Sequence, residues 1–220
     1  MKHVHKIQAL AFAVITLSGM AGVAQAADES LGVYTGTVNI SGEELGENSQ
    51  TRFSGEVKIR IPLTSRNDTT AMADVGDVET PSATVLVKQW STTSKGSSPD
   101  SDGQITTWSC EIAAPTEVPM NAQGTLNIDY SAKKYSMFIA LVALKSVPLK
   151  CVNSRSGAYK DEIATGFFFG TNEPDLVPWI ELPFADASSL KATYQLVPVN
   201  AMKGQYGPVD MAWDLKLQPQ

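Results

Sequence analysis

The chain has 220 residues, of which 43% are hydrophobic and 18% charged, and its formal net charge at pH 7 is −6. This acidic balance, with no cluster of basic residues, argues against binding to nucleic acid or to anionic membrane surfaces. The length suits one domain that is large enough to bury a core.

The first 26 residues have the pattern of a secretory signal peptide. Lys2 and Lys6 give a positive start, an apolar run extends from Ala9 to Leu17, and small residues lead to Ala24-Gln25-Ala26. This pattern is typical of cleaved signals, and the apolar run is too short to span a bilayer. A buried N-terminal helix is the alternative. We predict cleavage after residue 26, export to the periplasm or the medium, and no lipid anchor, since no cysteine lies at the cleavage point.

Cleavage would also change the chemistry that the chain can perform. It would leave residues 27–220, a single domain of 194 residues, and would lower the formal net charge from −6 to −8. His3 and His5 are the only histidines, and both would be removed. A chain without histidine lacks a Ser-His-Asp or Cys-His catalytic unit and any His-ligated metal. We therefore expect no enzyme activity and no cofactor.

The remaining sequence predicts short β strands separated by polar turns. Residues 53–61 and 209–217 alternate apolar and polar side chains, which is the period of a half-buried strand. Residues 34–40 resemble residues 53–59, and we predict that the two segments form an antiparallel pair joined by an exposed acidic loop. Further strands are predicted at residues 83–90, 105–112, 124–130, 134–144, 149–153, 163–169, 179–182 and 190–199.

Many short strands with frequent turns favour an all-β fold, an antiparallel β-sandwich of jelly-roll or immunoglobulin-like type. Residues 135–144 are apolar on both faces, which suits a central strand, although a buried helix remains open there. Residues 166–170 form an apolar Gly-Phe-Phe-Phe-Gly run that we interpret as a buried strand; if exposed, it would mark a partner surface.

Two cysteines, Cys110 and Cys151, remain after the signal. An even number in an oxidising compartment favours a disulfide bond, and two unrelated buried thiols are the alternative.

Two groups of carboxylates deserve consideration as sites. Asp77 and Glu79 lie two residues apart on one strand face, and paired carboxylates are the machinery of glycoside hydrolysis, although a solvated strand is the commoner meaning. Asp100 and Asp102 resemble the start of a calcium loop, but the pattern is incomplete and a turn built from Asp and Gly needs no ion.

The surroundings of the four tryptophans predict different positions for them. Trp108 and Trp213 lie in alternating apolar sets, which predicts core packing. Trp90 borders a polar loop and Trp179 lies among prolines, so these two are the candidates for exposure, with core or edge packing as the alternative.

These observations favour an exported, non-catalytic binding protein or envelope-assembly component with a protein or glycan partner. A carbohydrate-binding or glycoside-hydrolysing protein is the first alternative, with Trp90, Trp179, Asp77 and Glu79 as contacts. A small outer-membrane β-barrel is the second alternative, since it too is exported and alternating.

Overall fold

A computed structural model describes residues 31–75, 83–171, 180–196 and 206–218. The predicted signal peptide lies outside these residues. Within them the chain is almost entirely antiparallel β structure. Fourteen strands are described, which are β1 (Val33–Gly46), β2 (Ser49–Pro62), β3 (Ser65–Arg66), β4 (Thr70–Val75), β5 (Ala83–Lys95), β6 (Thr107–Ile112), β7 (Thr116–Asp129), β8 (Lys134–Ala143), β9 (Val147–Asn153), β10 (Gly157–Ile163), β11 (Gly166–Gly170), β12 (Leu182–Pro183), β13 (Ser189–Leu196) and β14 (Tyr206–Gln218).

All fourteen strands belong to one sheet. Its main path runs β10-β9-β6-β5-β2-β1-β14-β13, and every pairing is antiparallel. A second part, in which β7 pairs with β4 and β8, and β8 pairs with β11 and β12, joins this path where β7 pairs with β5. Six of the pairings described in the sheet join strands that are consecutive along the chain, and the others, such as β1 with β14 and β2 with β5, join strands that are further apart in sequence.

Three long strands bend from the main path into the second part. Both β6 and β7 pair with the same edge of β5, so they are two halves of one strand interrupted at residues 113–115. In the same way β9 and β8 pair with β6 and β7, and β10 and β11 pair with β9 and β8. The interruptions lie side by side, at residues 113–115, 144–146 and 164–165, and together they form a corner of the sheet.

The two parts of the sheet fold towards each other. The Phe53 ring of β2 meets the Phe167 ring of β11 edge-on at 5.8 Å between centroids. The Trp213 indole of β14 donates a hydrogen bond of 2.8 Å to the Tyr135 hydroxyl of β8. The sheet is therefore curled into a half-barrel. The predicted two-sheet sandwich is not confirmed, because the β5–β7 pairing keeps both layers hydrogen-bonded as one sheet.

Two glycines allow a close backbone approach of β7 and β11 to the neighbouring strand β8. Gly124 in β7 has φ +147°, and a Cβ there would lie 1.9 Å from the carbonyl oxygen of Phe138. Gly170 in β11 has φ +141°, and its Cβ would lie 2.2 Å from the carbonyl oxygen of Met137. Only glycine tolerates both the positive φ and the short approach, which is the usual role of glycine at bends in a sheet.

The inner face of the curl holds one large apolar core. Its members come from both parts of the sheet and include Tyr34, Val57, Leu126, Ile139 and Phe169, each with no more than 1% of its surface exposed. A second, much smaller cluster consists of Cys110, Leu149 and Cys151. The small cluster lies at the end of the sheet that β6, β9 and β10 form, beyond the corner.

Several predicted strands are confirmed. The expected pair of segments forms the β1–β2 hairpin, with Val38 opposite Val57. The acidic segment between them is mostly strand, because β1 continues to Gly46 and β2 begins at Ser49. Residues 134–143 are a strand rather than a helix. No helix among the described residues is long and apolar enough to cross a membrane.

Candidate ligand-binding face

The predicted disulfide bond between Cys110 and Cys151 is present. The two cysteines are directly opposite each other on β6 and β9, so the bond joins neighbouring strands of the same sheet. Both side chains are buried. Such a bond persists in an oxidising compartment, and it therefore indicates a location outside the cytoplasm.

The disulfide lies on the inner face of what we call the distal end of the sheet. This end consists of the β1–β2 turn region, the second half of β5, and strands β6, β9 and β10, namely residues 41–46, 49–54, 90–95, 107–112, 147–153 and 157–163. Since β7, β8 and β11 turn away at the corner, they do not pair beside this end. We call the inner surface of this end the distal face. Fewer core side chains pack against it than against the inner surface near β7, β8 and β11.

One row of side chains crosses the distal face at the level of the disulfide. Glu44, Thr51, Thr92, Cys110, Cys151 and Tyr159 are successive register partners on β1, β2, β5, β6, β9 and β10. Register partners in a sheet point to the same face. The hydrogen bond of 3.0 Å from the Thr51 hydroxyl to the Thr92 hydroxyl agrees with this placement.

A second row lies one step further from the core and contains Trp108. In this row Trp108 of β6 stands between Ser94 of β5 and Asn153 of β9. The Trp108 side chain is half-buried and belongs to neither apolar cluster. Its indole N–H makes no hydrogen bond within the described part of the chain. An indole with small neighbours and an unused donor is available to a ligand.

The other aromatic side chains of the distal face are more firmly packed. Trp90 is half-buried and contacts both apolar clusters, so it lies at the boundary between the core and the distal face. Tyr159 packs against the small cluster, and its hydroxyl lies 3.8 Å from Cys110 Sγ. Burial, helped by the charge of Asp161, raises the pKa of the Tyr159 hydroxyl, which therefore stays protonated and able to donate.

The distal face is acidic. Glu44 and Asp161 occupy inner-face positions at its opposite sides, and burial raises the pKa of the Glu44 carboxyl. The basic residues of the same strand segments, Arg52, Lys95, Lys150 and Lys160, are at alternate positions that point to the outer face. No lysine or arginine lies at an inner-face position of the described distal strands.

The predicted carboxylate site and one predicted tryptophan fall outside the described residues. These are Asp77, Glu79 and Trp179. Trp213 is in the core as predicted, with 2% of its surface exposed. The prediction that Trp108 lies in the core is wrong. Because β6 lies beyond the corner, its inward side chains point to the distal face instead of the large core. Trp90, a candidate for exposure, is half-buried.

In the candidate calcium loop, the carboxylates of Asp100 and Asp102 interact with other groups of the protein. One Asp100 carboxylate oxygen accepts hydrogen bonds from the backbone N–H groups of Asp102 and Gln104. The guanidinium of Arg155 contacts Asp100, and it lies 3.9 Å from the carboxylate of Asp102. Arg155 therefore supplies the positive charge between the two acids. In the described ranges no group of three or more His, Cys, Asp or Glu residues could hold a metal ion.

Two other surface features are less suited to a ligand. A shallow cavity of about 210 Å³ lies near the β7–β8 turn, where Lys134 and Glu181 form an exposed ion pair at 3.5 Å. The outer face of β8 is apolar: Val142 is 52% exposed, and Phe138 and Ala140 are half-buried. The aromatic side chain that lines the cavity, Tyr135, is only 1% exposed, and the β8 face offers mainly apolar groups.

Comparison with protein-family models, with curated proteins and with solved structures gives no match to this chain. The arrangement of residues on the distal face is therefore the basis for a functional conclusion.

Proposed function

We propose that this chain is an exported, non-catalytic binding protein whose ligand lies on the distal face and contacts Trp108. The observation that carries the proposal is the half-buried indole of Trp108, which packs in neither apolar cluster and has an unused N–H among the described residues. A ligand that covers this indole would bury apolar surface that is now in contact with water, and its N–H would be free to donate to a ligand acceptor.

Two further features support the non-catalytic part of the proposal. Residues 27–220 contain no histidine, which removes the commonest general base and the commonest metal ligand. The two acids on the distal face, Glu44 and Asp161, are at opposite sides, with the β2, β5, β6 and β9 strands between them. Acids so separated in the sheet do not form the closely spaced pair that glycoside hydrolysis needs.

The location in this proposal is the periplasm or the medium. The signal-like start of the sequence and the disulfide both support export, because a buried cross-strand disulfide bond forms and persists in an oxidising compartment. The acidic sequence, with a net charge of −6, favours a ligand other than nucleic acid.

The proposal can be tested by following the tryptophan side chains directly. We would label the indole nitrogens with ¹⁵N, assign the Trp108 signal with the variant Trp108→Phe, and add fractions of an envelope extract from the native host. We expect at least one fraction to shift the Trp108 signal while the signal of buried Trp213 stays in place. The added compound should be recovered chemically unchanged.

Two outcomes would contradict the proposal. In the first, no fraction shifts the Trp108 signal. In the second, the compound that shifts it is converted to a product, which would make the protein an enzyme. The outer-face variant Ser109→Ala, next to Trp108 in the chain, is the matched control and should respond as the natural sequence does.

An envelope-assembly role is the second candidate, and the apolar outer face of β8 favours it. Val142 is 52% exposed there and Leu144, just after the strand, is 46% exposed. Exposed apolar groups of this kind often mark a protein contact. Chemical crosslinking in intact cells would test it: the natural sequence should form a crosslinked product that Val142→Lys abolishes, and identical crosslinking of both proteins would contradict it.

A further inference from the structure

We propose that the ligand of the distal face is a neutral oligosaccharide chain, one sugar ring of which stacks on Trp108. The inference rests on the proposed binding function and assigns the chemical class of its ligand. It is argued from three properties of the distal face: its aromatic and hydroxyl side chains, its charge, and the absence of a free backbone edge beside Trp108.

The side chains around Trp108 suit a sugar. Its row partners Ser94 and Asn153 are small and polar, and the adjacent row adds the hydroxyls of Thr51 and Thr92. A sugar ring has an apolar face that stacks on an indole and a rim of hydroxyls that exchange hydrogen bonds with such groups. Small neighbours leave the indole plane clear, whereas bulky ones would cover it.

Tyr159 provides a second aromatic group at a useful distance. It is two strands away from Trp108, because β9 lies between β6 and β10, and it is two residues nearer the core. With neighbouring strands about 4.8 Å apart and about 3.3 Å per residue, the two Cα atoms are separated by roughly 12 Å. Two aromatic groups at this separation can contact different rings of one chain, so the site fits an oligosaccharide better than a single sugar.

The charge of the face argues against an anionic ligand. Its charged residues are Glu44 and Asp161, while the lysines and arginines of the described distal strands point to the outer face. A phosphorylated or carboxylated polymer would meet repulsion there. The guanidinium of Arg155, in the turn between β9 and β10, is already paired with Asp100. Neutral sugars do not suffer this repulsion, and carboxylates are good acceptors for their hydroxyl groups.

The backbone argues against a peptide bound as an added strand. Trp108 lies on β6, which pairs with β5 on one side and with β9 on the other. The backbone N–H and C=O groups of β6 are thus engaged in the sheet, and an extended peptide gains affinity from unpaired edge groups. In the described sheet, the unpaired edge of the distal end is on β10, two strands away from Trp108. The surface around Trp108 itself offers side chains only, and recognition through side chains matches the chemistry of a glycan.

Affinity electrophoresis of the full chain in native gels tests the inference. The gels would contain one soluble neutral polysaccharide each, namely starch, β-glucan, galactomannan or xylan, with alginate as the anionic comparison. We expect at least one neutral polysaccharide to retard the natural protein and alginate not to. Trp108→Ala should weaken this binding by roughly tenfold, or about 1.4 kcal/mol, because tryptophan is among the side chains whose truncation costs binding most.

Variants separate a lost contact from a damaged fold. Trp108→Phe keeps an aromatic plane and should retain part of the retardation, while Ser109→Ala on the outer face should retain all of it. Equal retardation of Trp108→Ala and the natural protein would overturn the inference, as would retardation by alginate alone. If none of the neutral polysaccharides retards the protein while an envelope compound still shifts the Trp108 signal, the glycan inference fails and the binding function stands.

Discussion

At the scale of single residues, the hydrogen bond between Trp213 and Tyr135 links the two parts of the curled sheet. The indole of β14 and the phenol of β8 are 78 positions apart in the chain and meet in the core at 2.8 Å. Both side chains are almost completely buried, with 2% and 1% exposed. Neither polar atom can reach water, so each depends on the other.

Removing the Tyr135 hydroxyl tests this dependence. Tyr135→Phe leaves the indole N–H of Trp213 buried without its acceptor, which should lower the free energy of unfolding by roughly 1–3 kcal/mol. Denaturant titration measures the change. The half-buried Tyr194, whose ring also contacts Trp213, gives the matched control, and Tyr194→Phe should change the stability little. Equal stability of Tyr135→Phe and the natural protein would show that the hydrogen bond contributes nothing.

The same tyrosine makes the stability depend on pH at the alkaline end. Burial raises the pKa of Tyr135 from 10.0 to about 12, and burial likewise raises the pKa of Tyr34. The folded state therefore holds protons that the unfolded chain loses from about pH 10 upward, and stability falls as the pH rises from 10 towards 12. Unfolding measured across this range should show a smaller fall for Tyr135→Phe; an identical fall would contradict this assignment.

At the scale of elements, the position of the distal face follows from the bends of the three long strands at the corner of the sheet. The alternation of strand residues was visible in the sequence, and it correctly predicted the β1–β2 hairpin and most of the other strands. The corner was not predicted, because a break such as Ala113-Ala114-Pro115 can mark the end of a strand but does not show which strands pair on either side of it. Trp108 was consequently assigned to the core, although its neighbours in the sheet place it on the distal face.

Gly124 provides a test of how the sheet bends. Gly124→Ala adds a Cβ that would lie 1.9 Å from the Phe138 carbonyl at a φ of +147°, and should lower the free energy of unfolding by roughly 2 kcal/mol or more. Gly96→Ala is the matched control, because its nearest contact would be an ordinary 3.6 Å. Thermal unfolding compares the two variants. Similar melting temperatures would mean that β7 can pack beside the Phe138 carbonyl of β8 without glycine.

The disulfide should stabilise the distal end more than the main core. It lies in the small cluster with Leu149, separate from the large one. Replacing Cys110 and Cys151 together with alanine should lower the protection of the β9 and β10 amides from hydrogen exchange by roughly 2–5 kcal/mol. Amides of β1 and β2 near Val38 and Val57 serve as internal controls. A uniform loss of protection in all strands would show that the two ends unfold as one unit.

At the scale of the whole molecule, the all-β antiparallel class, the disulfide and the core position of Trp213 could be predicted from the sequence. Each depends on a local pattern, such as alternation or an even number of cysteines. The half-barrel and the distal face depend on how distant strands pair, as in the meeting of β8 and β14, and no local pattern carries that information. The acids Asp77 and Glu79 and the indole of Trp179 stay untested predictions, since they lie outside the described residues.

The central claim is that the Trp108 indole on the distal face is open to a ligand, and residue-specific oxidation of the tryptophans tests it most directly. The full-length protein would be exposed to a brief pulse of hydroxyl radicals, and the oxidation rate of each tryptophan measured by peptide mass spectrometry. Trp108 should react faster than Trp90 and much faster than the buried Trp213. A Trp108 that reacts as slowly as Trp213 would show that another part of the chain covers the distal face, and would contradict the account.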